Sequence, residues 1–252
     1  MKKIFTLFYI IIAINASSQS LIGGDNILKT NLSADAINNY NLTFEKSINH
    51  FISLSVNYKN MPLSKLPLKA ITKQFIKNPA IDFDNFKIGN TTITFEGRFY
   101  LGLSKMSGFY IGPYIRYGNY DLSVPASYTY TPDKIFPAEI VKPITALATL
   151  EGKVRTQSYG AHVGMQFQLL TKLVLDISFI GGHYGTASGK LEFNPPVAFP
   201  RPAQDALKQV LDNTKADPFK FKSTVDTNKA TVDMEGPWWG LRGLGIGLGL
   251  RF

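Results

Sequence analysis

Three histidines, a few serines and a scatter of carboxylates are the groups in this sequence able to move protons or attack a carbonyl. His162 has Ser158 and Gln166 four residues to either side, and Asp176 stands one segment further on. A serine hydrolase needs a base within hydrogen-bond reach of its nucleophile and an acid that orients the base. Ser158, His162 and Asp176 supply the three types, but on the polar face of strand-like segments. His183 lies nearer a segment end and has no His-x-Ser pair beside it; His50 is alone. Each histidine is therefore read as structural. With no cysteine in the chain, zinc-thiolate sites and disulfide scaffolds are excluded. Asp82-Phe83-Asp84 by itself specifies no cation site, and the glycines near the C-terminus precede no helix, so they form no phosphate loop. No named reaction follows, and neither an enzyme nor a cofactor nor a metal is expected.

A second set of residues carries charge. Lys29, Arg98, Arg116 and Arg251 face Glu45, Glu96 and Asp176 across a common surface if each lies on the polar side of its segment. Charges removed from water must pair, because an isolated one costs several kcal/mol or more. A network of salt bridges that fills an interior is the expectation, with Tyr110 and Tyr114 taking further space beside Gly160, Gly164 and Gly245.

The elements that must position these groups show themselves as alternation of period two, the mark of strands with one apolar and one polar face. From Arg155 to Leu169, Tyr159, Ala161, Val163, Met165, Phe167 and Leu169 alternate with Thr156, Ser158, Gly160, His162, Gly164, Gln166 and Gln168. The last strand sets Leu244, Ile246, Leu248, Leu250 and Phe252 against Gly243, Gly245, Gly247, Gly249 and Arg251. Six more segments follow the rule: residues 27–34, 38–46, 51–59, 91–103, 109–120 and 173–184. Eight is the smallest common strand number for a membrane barrel.

Alternation alone does not say which face is inside, since a soluble sandwich shows the same pattern. The connections decide. The joints after the second, fourth and sixth strands are short, at residues 47–50, 104–107 and 170–172. Those after the third, fifth and seventh are long, at 60–90, 121–153 and 185–239. A barrel with both termini on the inner side predicts tight inner turns and long outer loops, whereas Greek-key connections would scramble the order. In the first long loop Lys65, Lys69, Lys73 and Lys77 recur every four residues and form one basic stripe if the stretch is helical. Such a stripe could dock on lipopolysaccharide phosphates, but a merely solvated face is the commoner meaning of a charge run. In the last loop a helix is expected from Pro202, suited to a first turn, to about Asn213. Ala203, Ala206, Leu207, Val210 and Leu211 share one side of it and are expected to cap the barrel mouth.

The first eighteen residues have the layout of a secretory signal, with Lys2 and Lys3, an apolar stretch from Ile4 to Ile14, then Ala16, Ser17 and Ser18, so cleavage is expected before Gln19. The stretch is too short to span a bilayer, which takes about 20 residues. Residues 19–252 then form one domain, and no later stretch is a helical span, so a membrane-crossing chain of this kind must close into a barrel. Removing Lys2 and Lys3 lowers the formal charge from +9 to +7, which suits an anionic lipid or polysaccharide surface; an exported chain rarely meets nucleic acid. Aromatic side chains fall near the ends of the apolar faces, at Tyr40, Phe44, Tyr58, Phe109, Tyr117, Tyr159, Phe167 and Trp238, where interfacial girdles belong.

The chain stops at Phe252, ending an amphipathic strand, and this resembles the C-terminal aromatic signature by which the outer-membrane assembly machinery recognises its substrates. Over its mature length the sequence resembles the small barrels of the OmpA-transmembrane, OmpX and opacity-like type. Gly112-Pro113-Tyr114 and Gly182-His183-Tyr184-Gly185 also look like phrases from barrels of a domain-of-unknown-function family in Gram-negative anaerobes. The resemblance implies a location in the cell outer membrane and no activity. The expectation is an all-β, eight-stranded antiparallel up-and-down transmembrane β-barrel with short helices in its outer loops, structural or adhesive in role, in contact with outer-membrane lipid and lipopolysaccharide. A lipid A-modifying enzyme and a soluble lipocalin-like binding barrel are the alternatives.

Overall fold

A computed structural model describes residues 25–65, 76, 78–102, 104–134, 136, 140–170 and 172–252. The signal-like residues 1–18 and Lys69, Lys73 and Lys77 of the basic stripe lie outside them. Among the described residues ten strands and two helices follow in the order β1 (Asn26–Asn31), α1 (Leu32–Asp35), β2 (Tyr40–Ser47), β3 (Ile52–Lys65), β4 (Lys87–Tyr100), β5 (Gly108–Tyr130), β6 (Ile144–Gln168), β7 (Leu173–Phe193), α2 (Arg201–Asp212), β8 (Lys220–Asp226), β9 (Lys229–Arg242) and β10 (Gly245–Arg251).

Every neighbouring pair is antiparallel. β1 to β7 pair in sequence order, and β10 joins β7 to β1, so eight strands form a ring. The seam runs through Leu28 opposite Leu250 and Gly247 opposite Asp176. At the end that holds the tight turns, Asn26 and Phe252 exchange backbone hydrogen bonds of 3.0 and 2.9 Å. The short connections after β2, β4 and β6 fall at this end and the long ones at the other.

Polarity within the ring is inverted relative to a water-soluble globule. Glu45 and Gln166 are 0 % exposed, while Leu54 is 55 % and Phe95 47 % exposed. The aliphatic positions of the alternating segments face outward, and the polar ones face in. An apolar group of Ile27, Tyr100, Met106, Tyr110 and Val174 closes the inner end.

Three expectations need correction. The first strand ends at Asn31, not Ala34, because the Asn31 side chain accepts a hydrogen bond of 3.0 Å from the Ala34 amide and caps α1, as asparagine favours. Most of the expected loop 121–153 is strand. β5 and β6 stay paired from Gly108 opposite Gln166 to Tyr130 opposite Ile144. Likewise the loop 185–239 contains the far half of β7, paired with β9 from Gly181 opposite Arg242 to Phe193 opposite Ala230, and β8 beyond it. These strands form an extension standing on one side of the ring.

The physical reason is a reversal of phase. Within the ring, β5 places Ile111, Ile115 and Tyr117 outward. Beyond Tyr120 its apolar residues Leu122, Val124, Ala126 and Tyr128 fall on the inward parity, with Ser127 and Thr129 outward. β6 does the same, with Ala148, Leu150 and Val154 turned in. Helix α2 lays Ala203, Leu207 and Leu211 against this inner face, in one buried cluster with Tyr128, Phe199, Leu191 and Val232. Its stripe covers the extension rather than the mouth of the ring.

Candidate polar site inside the ring

Lys29 of β1 stands at the centre of the ring. Its Nζ donates to Glu45 Oε2 at 2.5 Å, Asp176 Oδ2 at 2.6 Å and Gln166 Oε1 at 2.7 Å, using all three protons of the ammonium. Arg98 of β4 donates through Nε to Glu96 Oε1 at 2.5 Å and through Nη1 to Asp176 Oδ2 at 2.7 Å. Its guanidinium lies 4.3 Å from the centre of the Tyr110 ring, within cation–π range. The phenols complete the carboxylates. Tyr110 donates to Asp176 Oδ1 at 2.7 Å and Tyr100 to Glu45 Oε1 at 2.6 Å, while Ser53 donates to the same Glu45 oxygen at 2.5 Å.

Seven of the eight ring strands thus supply a member, and β10 supplies closeness. A Cβ on Gly249 would stand 2.6 Å from Lys29 Cβ. Small inward residues elsewhere make the same room. A Cβ on Gly164 would meet the Tyr110 hydroxyl at 2.5 Å, and one on Gly160 would meet Tyr114 Cζ at 2.7 Å. Gly245 does not serve this purpose: its neighbours are Ser178 and Asn31.

Arg242 Nη1 reaches Glu96 Oε2 at 4.0 Å, so Lys29, Arg98 and Arg242 balance Glu45, Glu96 and Asp176. A residual polar cavity of about 30 Å³ touches Lys29, Lys59, Glu96, Arg116 and Arg242, room for about two water molecules.

Lys29, Glu45, Glu96, Arg98 and Asp176 are therefore brought together as the sequence led one to expect, and two residues are not. Arg116 donates to Thr94 Oγ1 at 3.1 Å and lies 5.0 Å from the Tyr114 ring, one layer away from the carboxylates. Arg251 has the inward parity but sits at the strand end. There it donates to Gln168 Oε1 at 2.9 Å and to Asp25 Oδ1 at 3.4 Å, too far along the ring axis to reach the central cluster. The hydrogen bond from Lys105 at 2.7 Å, reinforced by Arg251, holds the Asp25 carboxyl below its ordinary range. Lys65 is exposed at the end of β3, opposite Lys87.

Sequence reasoning missed Lys59 and Arg242 as interior groups. Lys59 shares its parity with Ser53, Ser55 and Asn57, which was signal enough; Arg242 lay where no strand was expected. Trp238, assigned to the outer girdle, faces inward. Its partner across the ladder is Gly185, while Trp239 opposes Tyr184 and takes the outward place.

The Ser158, His162 and Asp176 constellation is not assembled. His162 Nε2 lies 2.8 Å from Glu96 Oε1, and the buried Ser158 Oγ has no hydrogen-bond partner. Asp176 is taken by Lys29, Arg98 and Tyr110. His162 instead packs edge-on between Tyr110 and Tyr114, at centroid distances of 5.5 and 5.9 Å.

No curated protein and no solved structure matches this sequence. Residues 4–216 match the model of a family described as a protein of unknown function, DUF3575, and with that match covering most of its length the chain belongs to the DUF3575 family.

Proposed function

We propose that the chain is an up-and-down transmembrane β-barrel of the bacterial outer membrane, with a lumen plugged by its own side chains and a structural or adhesive role exercised through the extension. The observation that carries this reading is the outer surface of the ring. Apart from Lys46 beside a tight turn, its exposed side chains are aliphatic or aromatic over the ring strands, and they become polar at the level where the inner face of the extension becomes apolar. At that level Tyr159, Tyr184 and Trp239 stand side by side across three strands, all of them well exposed. A row of amphipathic rings along one contour is what a membrane interface selects. An apolar surface of this extent on a soluble monomer would invite association. Above the row the outward residues include Glu151, Lys153, Lys190, Asp233 and Glu235, which suit water.

A barrel of eight strands has a bore that side chains can fill, and the central ion cluster supports a plug rather than a path. Fractionation and labelling test the proposal together. With cysteine absent from the native chain, single variants Thr149→Cys in the extension and Ser104→Cys in a tight turn report sidedness. The expected result is protein in the outer-membrane fraction with heat-modifiable gel mobility. Thr149→Cys should react with an impermeant maleimide on intact cells, and Ser104→Cys only after lysis. Soluble protein in the periplasm overturns the location, and large steady single-channel currents in a planar bilayer overturn the plug.

A further inference from the structure

The polar cavity inside the ring holds more positive charge than its own carboxylates neutralise. Lys29, Lys59, Arg98, Arg116 and Arg242 all line it, each from a different strand, while the carboxylates on its walls are Glu96 and Asp176. Glu45, which also takes Lys29, is the third central carboxylate. Lys29 and Arg98 are fully engaged in this cluster, and Arg242 reaches only Glu96, at 4.0 Å. Among the described residues Lys59 and Arg116 form no ion pair. The next carboxylate toward the outer end, Asp35, accepts from the Thr30 hydroxyl at 2.6 Å and the Asn41 amide at 3.2 Å. Counting it as well still leaves one positive charge over.

The unused donors converge on the cavity. Arg116 spends only its Nε, on Thr94 Oγ1 at 3.1 Å, so both terminal nitrogens are left without a protein acceptor. Lys59 and Arg242 donate no side-chain hydrogen bond among the described residues. Register sets their level: Asn57 opposes Thr94, Thr94 opposes Arg116, and Lys59 stands two residues beyond Asn57 toward the outer end. The three cations are half-buried, and each lies close enough to feel the charge of the others. Like charges repel more strongly as the surroundings become less polar, and a charge withdrawn from water is costly unless it is paired. A cleft lined by one sign of charge concentrates ions of the other sign.

We infer that this cavity binds one small inorganic anion, chloride by its size, between Lys59, Arg116 and Arg242. Room for about two water molecules admits a monatomic ion and excludes the head of a lipid or the carboxylate of a peptide. The anion accepts from the Lys59 ammonium and from the free guanidinium N–H groups, cancels surplus charge and completes the packing of the ring interior. Occupancy depends on that interior alone and not on where the ring resides, so its failure would leave the proposed location and the plug standing.

Chlorine NMR reads occupancy, because the quadrupolar nucleus gives a broader line once the ion leaves its symmetric hydration shell. The protein is folded in non-ionic maltoside micelles, and chloride itself is the probe. Protein-dependent broadening of the chloride line is expected. Bromide should reverse it saturably, whereas bulky isethionate at the same ionic strength should not. Arg116→Gln, Lys59→Gln and Arg242→Gln should each weaken chloride binding about tenfold by removing a charged donor, with heat-modifiable mobility kept as the check on folding. Lys153→Gln removes an exposed cation on the outer face of the extension and should change nothing. Absence of protein-dependent broadening overturns the assignment. So does equal reversal by isethionate, an equal loss in Lys153→Gln, or undiminished broadening in folded Arg116→Gln and Lys59→Gln proteins.

Discussion

Asp176→Asn tests whether the central charges act as one coupled unit. The carboxylate receives Lys29 at 2.6 Å, Arg98 at 2.7 Å and Tyr110 at 2.7 Å. The amide keeps one acceptor oxygen but loses the charge, so two buried cations are left with Glu45 and Glu96 alone among the central carboxylates. Breaking a buried pair on one side costs about 3–5 kcal/mol, a large share of a total stability of about 5–15 kcal/mol. Lys29→Met should cost a similar amount, because it leaves Asp176 and Glu45 without their shared ammonium. Removing both together takes out one charge of each sign, and Arg98 and Arg242 remain to balance Glu45 and Glu96. The double variant Lys29→Met/Asp176→Asn should therefore be more stable than the sum of the single losses predicts, by about 0.5–3 kcal/mol. The assay is urea unfolding of protein refolded into lipid vesicles, followed by tryptophan emission and extrapolated linearly to zero denaturant. Single losses within about 0.5 kcal/mol of the parent, the size of an ordinary surface substitution, would refute the reasoning; so would strict additivity.

Other consequences follow from packing and from the seam. Gly112→Val should block closure of the ring or cost at least about 1–3 kcal/mol, since a Cβ there would lie 2.8 Å from His162 Nε2 and 2.9 Å from Glu96 Oε1; loss of heat-modifiable mobility reads it. Leu207→Ala should cost about 2–5 kcal/mol locally, because Leu207 is fully buried under the extension. Limited proteolysis should then cut between α2 and β8 while the ring stays resistant. At the seam, the lowered Asp25 value means that its contacts with Lys105 and Arg251 contribute fully above the ordinary carboxylate range near pH 4 and fade as pH falls through the lower folded value. The difference in urea midpoint between the parent and Asp25→Asn should accordingly be present at pH 6 and shrink steadily as the pH is taken below 4.

Much of the ring was legible because its signal is local. A residue's face depends only on its parity along the strand, so Glu45, Glu96, Arg98 and Asp176 declared themselves inward from their immediate neighbours. The helix from Arg201 to Asp212 was equally visible, as an apolar stripe at helical spacing behind a proline. The extension was not, because its strands keep the alternation but exchange the meaning of the two faces. Leu122, Val124 and Ala126 follow Ile115 and Tyr117 on the opposite parity, and a rule that follows one oily face ends the strand at the crossing. Trp238 and Trp239 show the same limit at single-residue scale: adjacent in sequence, they face opposite ways, and only the pairing of Tyr184 with Trp239 decides which is which.

By itself the sequence determined the all-β class, the inward parity of the ring charges and the sorting of short and long connections, since each follows from residue types at fixed local spacing. The tertiary structure alone decided which charges meet. Arg116 and Arg251 share the parity of Arg98 yet stand at other heights, and Arg242 joins from a strand that no local pattern announced. The reason is that height inside a closed ring is set by the register between strands and by the residue at which β10 meets β1, and neither quantity is written in the periodicity of any one strand.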